Sequence, residues 1–275
     1  MLDRIATIAA ACASADGADP LDEATWLALR HLDDRAVDAT ADDERFAVVI
    51  EESLSLAVHP AARGRGRANA LLAEVLRRHP GSLTAWSHGN HPAAAALARR
   101  HGFAAVRDLW VMRRSMADPL PEVPVPADVA VRGYRPQDEA DLLRVNAAAF
   151  AAHPEQGGMD AKDLAARMAE PWFDPADLLL ASDGDGRLLG FHWTKVHSPE
   201  VGEIYVLGVA PEGQGRGLGK VLALLGLRHL SDRGVRTVHL YTESDNAPAV
   251  ALYAGLGFTH APADTHVMYR RLSVT

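Results

Sequence analysis

Gln214-Gly215-Arg216-Gly217-Leu218-Gly219-Lys220 follows a strand-like run, Glu203 to Val209, and opens a helix-periodic segment that starts at Leu218. Glycines in such a turn let the backbone approach an anion closely, and the first N–H groups of the helix together with its dipole favour negative charge there. The tract therefore predicts a site for a phosphate-bearing cofactor. Gly219-Lys220 is followed by Val221 rather than Ser or Thr, which argues against a P-loop, and the long βαβ unit of a dinucleotide fold is not evident.

Working outward, a weaker copy of the tract occurs upstream as Arg63-Gly64-Arg65-Gly66-Arg67-Ala68. Each copy stands behind a Val-x-Pro, Val58 with Pro60 and Val209 with Pro211. Asn90-His91-Pro92 answers Asn246-Ala247-Pro248, and Leu97 with Gly102-Phe103 answers Leu252 with Gly257-Phe258. Four matches in order indicate a tandem duplication. Residues 117–128 carry four prolines and read as an extended linker, so the expected domains are 1–116 and 129–275.

The second half reads as mixed α/β. Strands are expected at 129–134, 178–182, 188–195, 203–209, 235–242 and 267–272, and helices at 138–150, 160–169, 218–230 and 247–256. The turn Asp183-Gly184-Asp185-Gly186 makes a hairpin of 178–182 and 188–195. On the helix at 218–230, Leu218, Leu222, Leu225 and His229 form the expected apolar face. In the first half the later elements repeat, at 53–58, 67–78, 83–87, 93–100 and 109–113. Its early strands are poorly marked, with 46–50 the only candidate, so that half reads as eroded. Residues 5–15 read as a surface helix rather than a signal-peptide core, because the run is weakly apolar and leads into acidic sequence.

Composition narrows the partners. A chain of 275 residues with 48% hydrophobic residues is long enough for two cored domains. A formal charge of −8 argues against nucleic acid, and no apolar run is long enough to span a bilayer. A single cysteine, Cys12, leaves no intrachain disulfide and no thiol-rich metal site, which suits the cytoplasm. His88 and His91 have ligand-like spacing without a third ligand nearby, so no metal is expected. Trp110, Trp172 and Trp193 read as packing residues.

The motif Gln/Arg-x-x-Gly-x-Gly/Ala, met at Gln214, Gly217 and Gly219 and again at Arg63, Gly66 and Ala68, resembles that of the GNAT acyltransferase superfamily. The resemblance covers most of the second half and about two thirds of the first. It implies two tandem acyl-CoA N-acyltransferase domains, the first one eroded, with acetyl-CoA as cosubstrate. The coenzyme would be held by the loop residues 214–220, by Leu207-Gly208-Val209, and by Asn246-Ala247-Pro248-Ala249-Val250-Ala251, with its pantetheine in a splay between the strands at 203–209 and 235–242. In the first half the matching positions are Leu56-Ala57-Val58 and the tract from Arg63 to Ala68.

His153-Pro154-Glu155-Gln156-Gly157-Gly158, Phe191-His192-Trp193-Thr194-Lys195, Gly202-Glu203-Ile204-Tyr205-Val206 and Tyr241-Thr242-Glu243-Ser244-Asp245-Asn246 are similar to the mycothiol synthase family of actinobacteria. That resemblance implies acetylation of the cysteinyl amine of a cysteine–glucosamine–inositol conjugate. It makes Glu203 the general base, acting through water, Tyr253 the general acid, and the backbone N–H groups of 207–209 the donors to the thioester carbonyl. Glu23, Glu155, Lys195, Glu203 and Tyr241 would contact this small-molecule acceptor. In the first half Ala98 stands at the position of Tyr253, while Glu52 aligns with Glu203; binding without turnover is expected there. A cytoplasmic monomer is expected. Another amine acceptor, a protein N-terminus or an aminoglycoside, and a non-catalytic acyl-CoA sensor are the alternatives.

Overall fold

The computed structural model describes residues 1–31, 37–122, 124–151, 153 and 156–272. In chain order its elements are α1 (Leu2–Asp16), α2 (Glu23–His31), β1 (Val37–Ala41), β2 (Arg45–Ile50), β3 (Ser53–Val58), α3 (Arg67–Arg78), β4 (Leu83–Ser87), α4 (Pro92–Arg100) and β5 (Ala104–Ser115). They continue with β6 (Ala130–Gly133), α5 (Glu139–Ala149), α6 (Ala161–Met168), β7 (Leu178–Ser182), β8 (Leu188–Val196), β9 (Val201–Val209), α7 (Leu218–Asp232), β10 (Thr237–Glu243), α8 (Ala247–Gly255) and β11 (Thr259–Arg271). The chain forms two compact units. One comprises Met1–Val111, Glu243–Asp245 and the stretch from His260 onward; the other comprises Met112–Thr242 and Asn246–Thr259. By compactness, most of β11 thus belongs with the first unit, although it follows the linker in sequence.

In the first unit β1, β2 and β3 are antiparallel neighbours. β3 then pairs in parallel with β4, but only at Ser53↔Thr84 and Leu54↔Ala85. β11 lies antiparallel against β4, from Val267↔Ser87 to Arg271↔Leu83. Two expectations are corrected here. Val37–Ala41 is a strand, so the first half keeps its early elements and what has eroded is their sequence signal. The helix α1 is not a surface helix: Ile5, Ile8, Ala9 and Cys12 are buried, packed with Phe46, Val48 and Ala57. Their i, i+3, i+4, i+7 spacing forms one apolar stripe, and each buried isoleucine contributes about 1.5–3 kcal/mol.

In the second unit β6, β7, β8 and β9 are successive antiparallel neighbours, and β10 runs parallel to β9. β8 is buried on both faces along nearly its whole length, its polar residues His192, Thr194 and Lys195 included. On one face Phe191 and Trp193 pack with Leu142, Val145, Leu164, Leu178 and Leu180. The other face is covered by α7, where Leu218 and Leu222 meet Leu189. Burial on α7 is broader than the expected stripe. Val221, Ala223, Leu224, Leu227 and Leu230 are buried as well, while Leu225 and His229 are half-buried. The final strand also begins earlier than expected, at Thr259 rather than Val267.

One contact fixes how α7 sits on β8. The ring of the fully buried His192 reaches into the helix, and its Nδ1–H donates to the Leu222 carbonyl at 2.8 Å. A Cβ at Gly226, one turn on, would lie 2.1 Å from that ring, so glycine is required for close approach. Burial holds His192 neutral, with its pKa pushed down to about 4. Helix propensity alone would make Gly226→Ala stabilising by about 1 kcal/mol. The steric contact predicts the opposite sign, a loss of about 2 kcal/mol in urea unfolding. Because His192 binds its proton more weakly folded than unfolded, its contribution to stability is complete above about pH 6.5. It should be lost as pH falls toward about 4, at about 1.4 kcal/mol per pH unit, and His192→Gln should flatten that slope.

Candidate functional site

The parallel ladder between β9 and β10 runs from Val201↔Thr237 to Ile204↔Leu240 and stops. From Val206 to Val209 the β10-facing edge of β9 has no strand partner among the described residues, so alternate backbone groups on that edge are available to a ligand. The same point carries a bulge. Against β8, Trp193 pairs with Val206 and Thr194 with Ile204, which leaves Tyr205 as the extra residue that bends β9.

Beyond this edge Pro211–Gly213 makes one 3-10 turn, and Gln214 turns back so that its Nε2 donates to the Val209 carbonyl at 3.2 Å. Gly217, with φ 73°, is the N-cap of α7 and brings no side chain to cap it. The N–H groups of Leu218 and Gly219, at the start of α7, precede the first hydrogen bond of the helix, which Lys220 N–H makes to the Gly217 carbonyl at 3.1 Å, and they adjoin an exposed glycine turn. Arg216 pairs with Asp128. The segment meets the requirements of a diphosphate site: unobstructed donors, glycine backbone and a helix N-terminus.

Register assembles a row of ionisable side chains. Lys195 lies opposite Glu203 across β8 and β9, and His239 lies opposite Glu203 across β9 and β10. Directly opposed residues project from the same face, so the three side chains stand side by side. Glu203 is only 6% exposed; its Oε2 accepts a hydrogen bond from His197 Nε2 at 2.6 Å and lies 3.7 Å from His239 Nε2. Burial pushes the His239 pKa down to about 4, the nearby Glu203 charge opposing that shift. Lys195, 8% exposed, places Nζ 4.2 Å from the Trp172 ring centroid and 5.0 Å from that of Tyr205. Tyr241 is two residues beyond His239 on β10, 45% exposed, with its ring 5.6 Å from the His239 ring.

The structure therefore brings Lys195, Glu203 and Tyr241 together. His197 and His239, which sequence reasoning did not single out, join them. Only their common approach to Glu203 in the fold reveals that pair, since 42 positions separate the two histidines in the chain.

Asn246 caps α8, its Oδ1 accepting from the Ala249 N–H at 3.2 Å. Ala247, Pro248 and Ala251 are exposed, and Ala249 and Val250 half-buried, an apolar face suited to an alkyl chain. Tyr253 is buried on the same helix, edge-on to Phe258 at 5.8 Å, and burial raises its phenol pKa well above the usual range. Glu23 is the first residue of α2, half-buried in the first unit. Glu155 lies outside the described residues. His88 stacks on His266 at 4.5 Å, and His91 Nδ1 caps α4 by accepting from the Ala93 N–H, so both are accounted for by packing and capping.

The first unit reproduces the loop. Arg63 Nε donates to the Val58 carbonyl at 3.1 Å as Gln214 does to Val209, and Gly66, with φ 73°, caps α3 as Gly217 caps α7. A cavity of about 410 Å³ lies there, lined by Leu56, Ala57, Val58, Gly64, Gly66 and Ala68, with Arg63 and Arg67 also on its wall; Arg65 is exposed and does not line it. The chemistry differs. Arg63 is held in a two-bond pair with Asp16, at 2.7 and 2.6 Å, which keeps that carboxyl below its ordinary range. Glu52 aligns with Glu203 but is exposed in the turn before β3, and Ala98 is a core residue.

Comparison with known proteins identifies the family. The profile described as Acetyltransferase (GNAT) family matches residues 144–258, and one described as Acetyltransferase (GNAT) domain matches residues 22–105. The chain is 58% identical to a mycothiol acetyltransferase of Nocardioides sp., over 98% of each chain. It is 47% identical to that of Thermomonospora curvata, over 98% of this chain and 93% of the relative. Among solved structures, a tandem GNAT protein from the clavulanic acid biosynthesis pathway superposes with a TM-score of 0.73 at 21% identity, covering 100% of this chain and 95% of that one. At 21% that likeness concerns the fold. Replacing Gly217 with valine puts a β-branched side chain at φ 73°, which costs about 1–2 kcal/mol. The expected result is coenzyme A binding weakened about tenfold or more by titration calorimetry.

Proposed function

The chain belongs to the GNAT acetyltransferase family and is an N-acetyltransferase, and we propose that its acceptor is the cysteinyl amine of a cysteine–glucosamine–inositol conjugate, as its resemblance to the mycothiol acetyltransferases suggests. The observation that carries the reading is the row Lys195–Glu203–His239 beside the point where β9 and β10 part. Acetyl-CoA, the cosubstrate of this family, would supply the acetyl thioester. The glycine turn at 214–220 would hold its diphosphate, and the open edge of β9 and the apolar face of α8 its pantetheine.

In this reading the second unit performs the chemistry. An α-amino group with a pKa near 8 is already about a tenth neutral at pH 7, so the base has a modest task and positioning the larger one. Glu203 takes the proton, through water. The free N–H groups among 207–209 donate to the thioester oxygen as charge develops on it. Burial keeps the Tyr253 phenol protonated at neutral pH, so it can donate to the departing sulfur. Lys195, held between aromatic faces, and Tyr241 supply polar contacts for a polyhydroxylated acceptor. The first unit would bind the coenzyme without turnover. Its cavity and loop support binding, and the exposed Glu52 and apolar Ala98 support inactivity.

We further infer a monomer of the cytoplasm acting on a small molecule and not on nucleic acid. A net charge of −8 and a single cysteine, buried as Cys12, support this. No helix among the described residues is long and apolar enough to cross a membrane.

Incubation with acetyl-CoA and the cysteinyl conjugate should yield product heavier by one acetyl group on nitrogen, read by mass spectrometry. Acetylation only of another amine would refute the proposed acceptor. Tyr253→Phe should lower kcat about a hundredfold or more with KM for acetyl-CoA little changed. Glu203→Gln should lower kcat/KM for the amine by a similar factor at about pH 7 and recover part of it toward about pH 9, where the free amine is abundant. Turnover unchanged from about pH 6 to about pH 9 would remove Glu203 from the base role.

A further inference from the structure

The second unit gathers more nitrogen ligands around Glu203 than a lone general base needs. His197 stands at the end of β8, in a turn closed by its own N–H donating to the Val201 carbonyl at 2.9 Å. His239 stands on β10, opposite Glu203. Both Nε2 atoms converge on Glu203 Oε2, at 2.6 and 3.7 Å, and one ligand atom from each of the three residues lies within 4.8 Å of the others. We propose that His197, Glu203 and His239 form an exchangeable site for a divalent transition metal of the Zn²⁺ type, and that metal bound there blocks acetyl transfer.

Two imidazoles and a carboxylate make up a donor set that zinc takes with a fourth position open. Bond lengths of about 2.0–2.1 Å put tetrahedral ligand atoms about 3.4 Å apart. The observed separations bracket that value, so a rotation of the Glu203 carboxylate and a small swing of the His197 ring suffice. The metal would enter past His197, whose side chain is 37% exposed while those of Glu203 and His239 are below 10%. Hard cations such as Mg²⁺ are disfavoured, since two of the three donors are imidazole nitrogen.

The surroundings indicate exchange rather than permanent residence. A histidine in a resident site donates its second ring N–H to a neighbour. His239 Nδ1 is buried with no hydrogen-bond partner. The inhibitory consequence rests on the reading of Glu203 as the base: a carboxylate oxygen bonded to the metal no longer accepts a proton from the amine or its water.

The test uses the whole chain, stripped with a chelator and freed of coenzyme and acceptor, whose thiols would compete for metal. Titration with Zn²⁺ by calorimetry and with Co²⁺ by visible absorption should show one metal per chain. Co²⁺ should give the intense bands of a four-coordinate site. His197→Ala and His239→Gln should each weaken this binding about tenfold or more. His79→Ala, which removes a separate histidine–carboxylate pair with Asp38, should leave it unchanged. Near-UV circular dichroism checks that the buried His239 variant is folded, and the half-exposed His197 variant stands independently of it.

Absence of one-to-one binding, or binding indifferent to both His197 and His239, overturns the site. Product formation followed by mass spectrometry, with one equivalent of Co²⁺ preloaded, reads the consequence separately. Turnover that persists with metal demonstrably at His197 and His239 would leave the site standing and remove Glu203 from its role as base.

Discussion

Everything in the second unit depends on where two parallel strands stop pairing. β9 and β10 are joined through Ile204↔Leu240, and the next residue, Tyr205, bulges. A sheet that stayed zipped would satisfy its own backbone and leave no place for an extended ligand. By parting, it exposes a strip of N–H and C=O groups that ends at Val209, whose carbonyl is occupied by Gln214, and that leads directly to the glycine turn. Ladder, bulge, turn and helix N-terminus form one continuous polar track laid over an apolar core.

That same register sets Lys195, Glu203 and His239 side by side. A buried carboxylate is costly unless it is hydrogen-bonded, and Glu203 meets this through His197. Its neighbour His239 is held neutral by burial, and Lys195 has its ammonium against the faces of Trp172 and Tyr205. The first unit keeps the loop frame with different side chains around it. Its loop geometry matches at Arg63 and Gly66, yet its aligned acid, Glu52, has moved into an exposed turn and its tyrosine position is filled by Ala98. The two units match more closely in loop backbone than in the side chains at the positions of Glu203 and Tyr253.

The parts of the fold that were legible beforehand were those with strong local signals. Alternating or continuous apolar runs located β3, β4 and β7 to their exact ends, and the glycine tracts located the starts of α3 and α7. The rest was hidden for physical reasons. Val37–Ala41 is a half-buried strand of small and polar residues, with little hydrophobic contrast. β11 passes through Pro262, which lacks a backbone donor and weakens the strand signal there. The stripe of α1 was present at Ile5, Ile8, Ala9 and Cys12 but diluted by alanine. At the site, Glu203, Lys195 and Tyr241 were named through family resemblance, whereas His239 emerged from cross-strand register and His197 from its hydrogen bond to Glu203, neither of which a single-sequence pattern encodes.

The central claim is that this parted edge and the turn at Gly217 are where the coenzyme lies. Amide hydrogen exchange measured with and without acetyl-CoA addresses it directly. The account predicts slowed exchange at residues 206–209 and 217–219, the backbone donors left open by the ladder and by the helix N-terminus. Saturating acetyl-CoA that leaves both segments exchanging as before would contradict it.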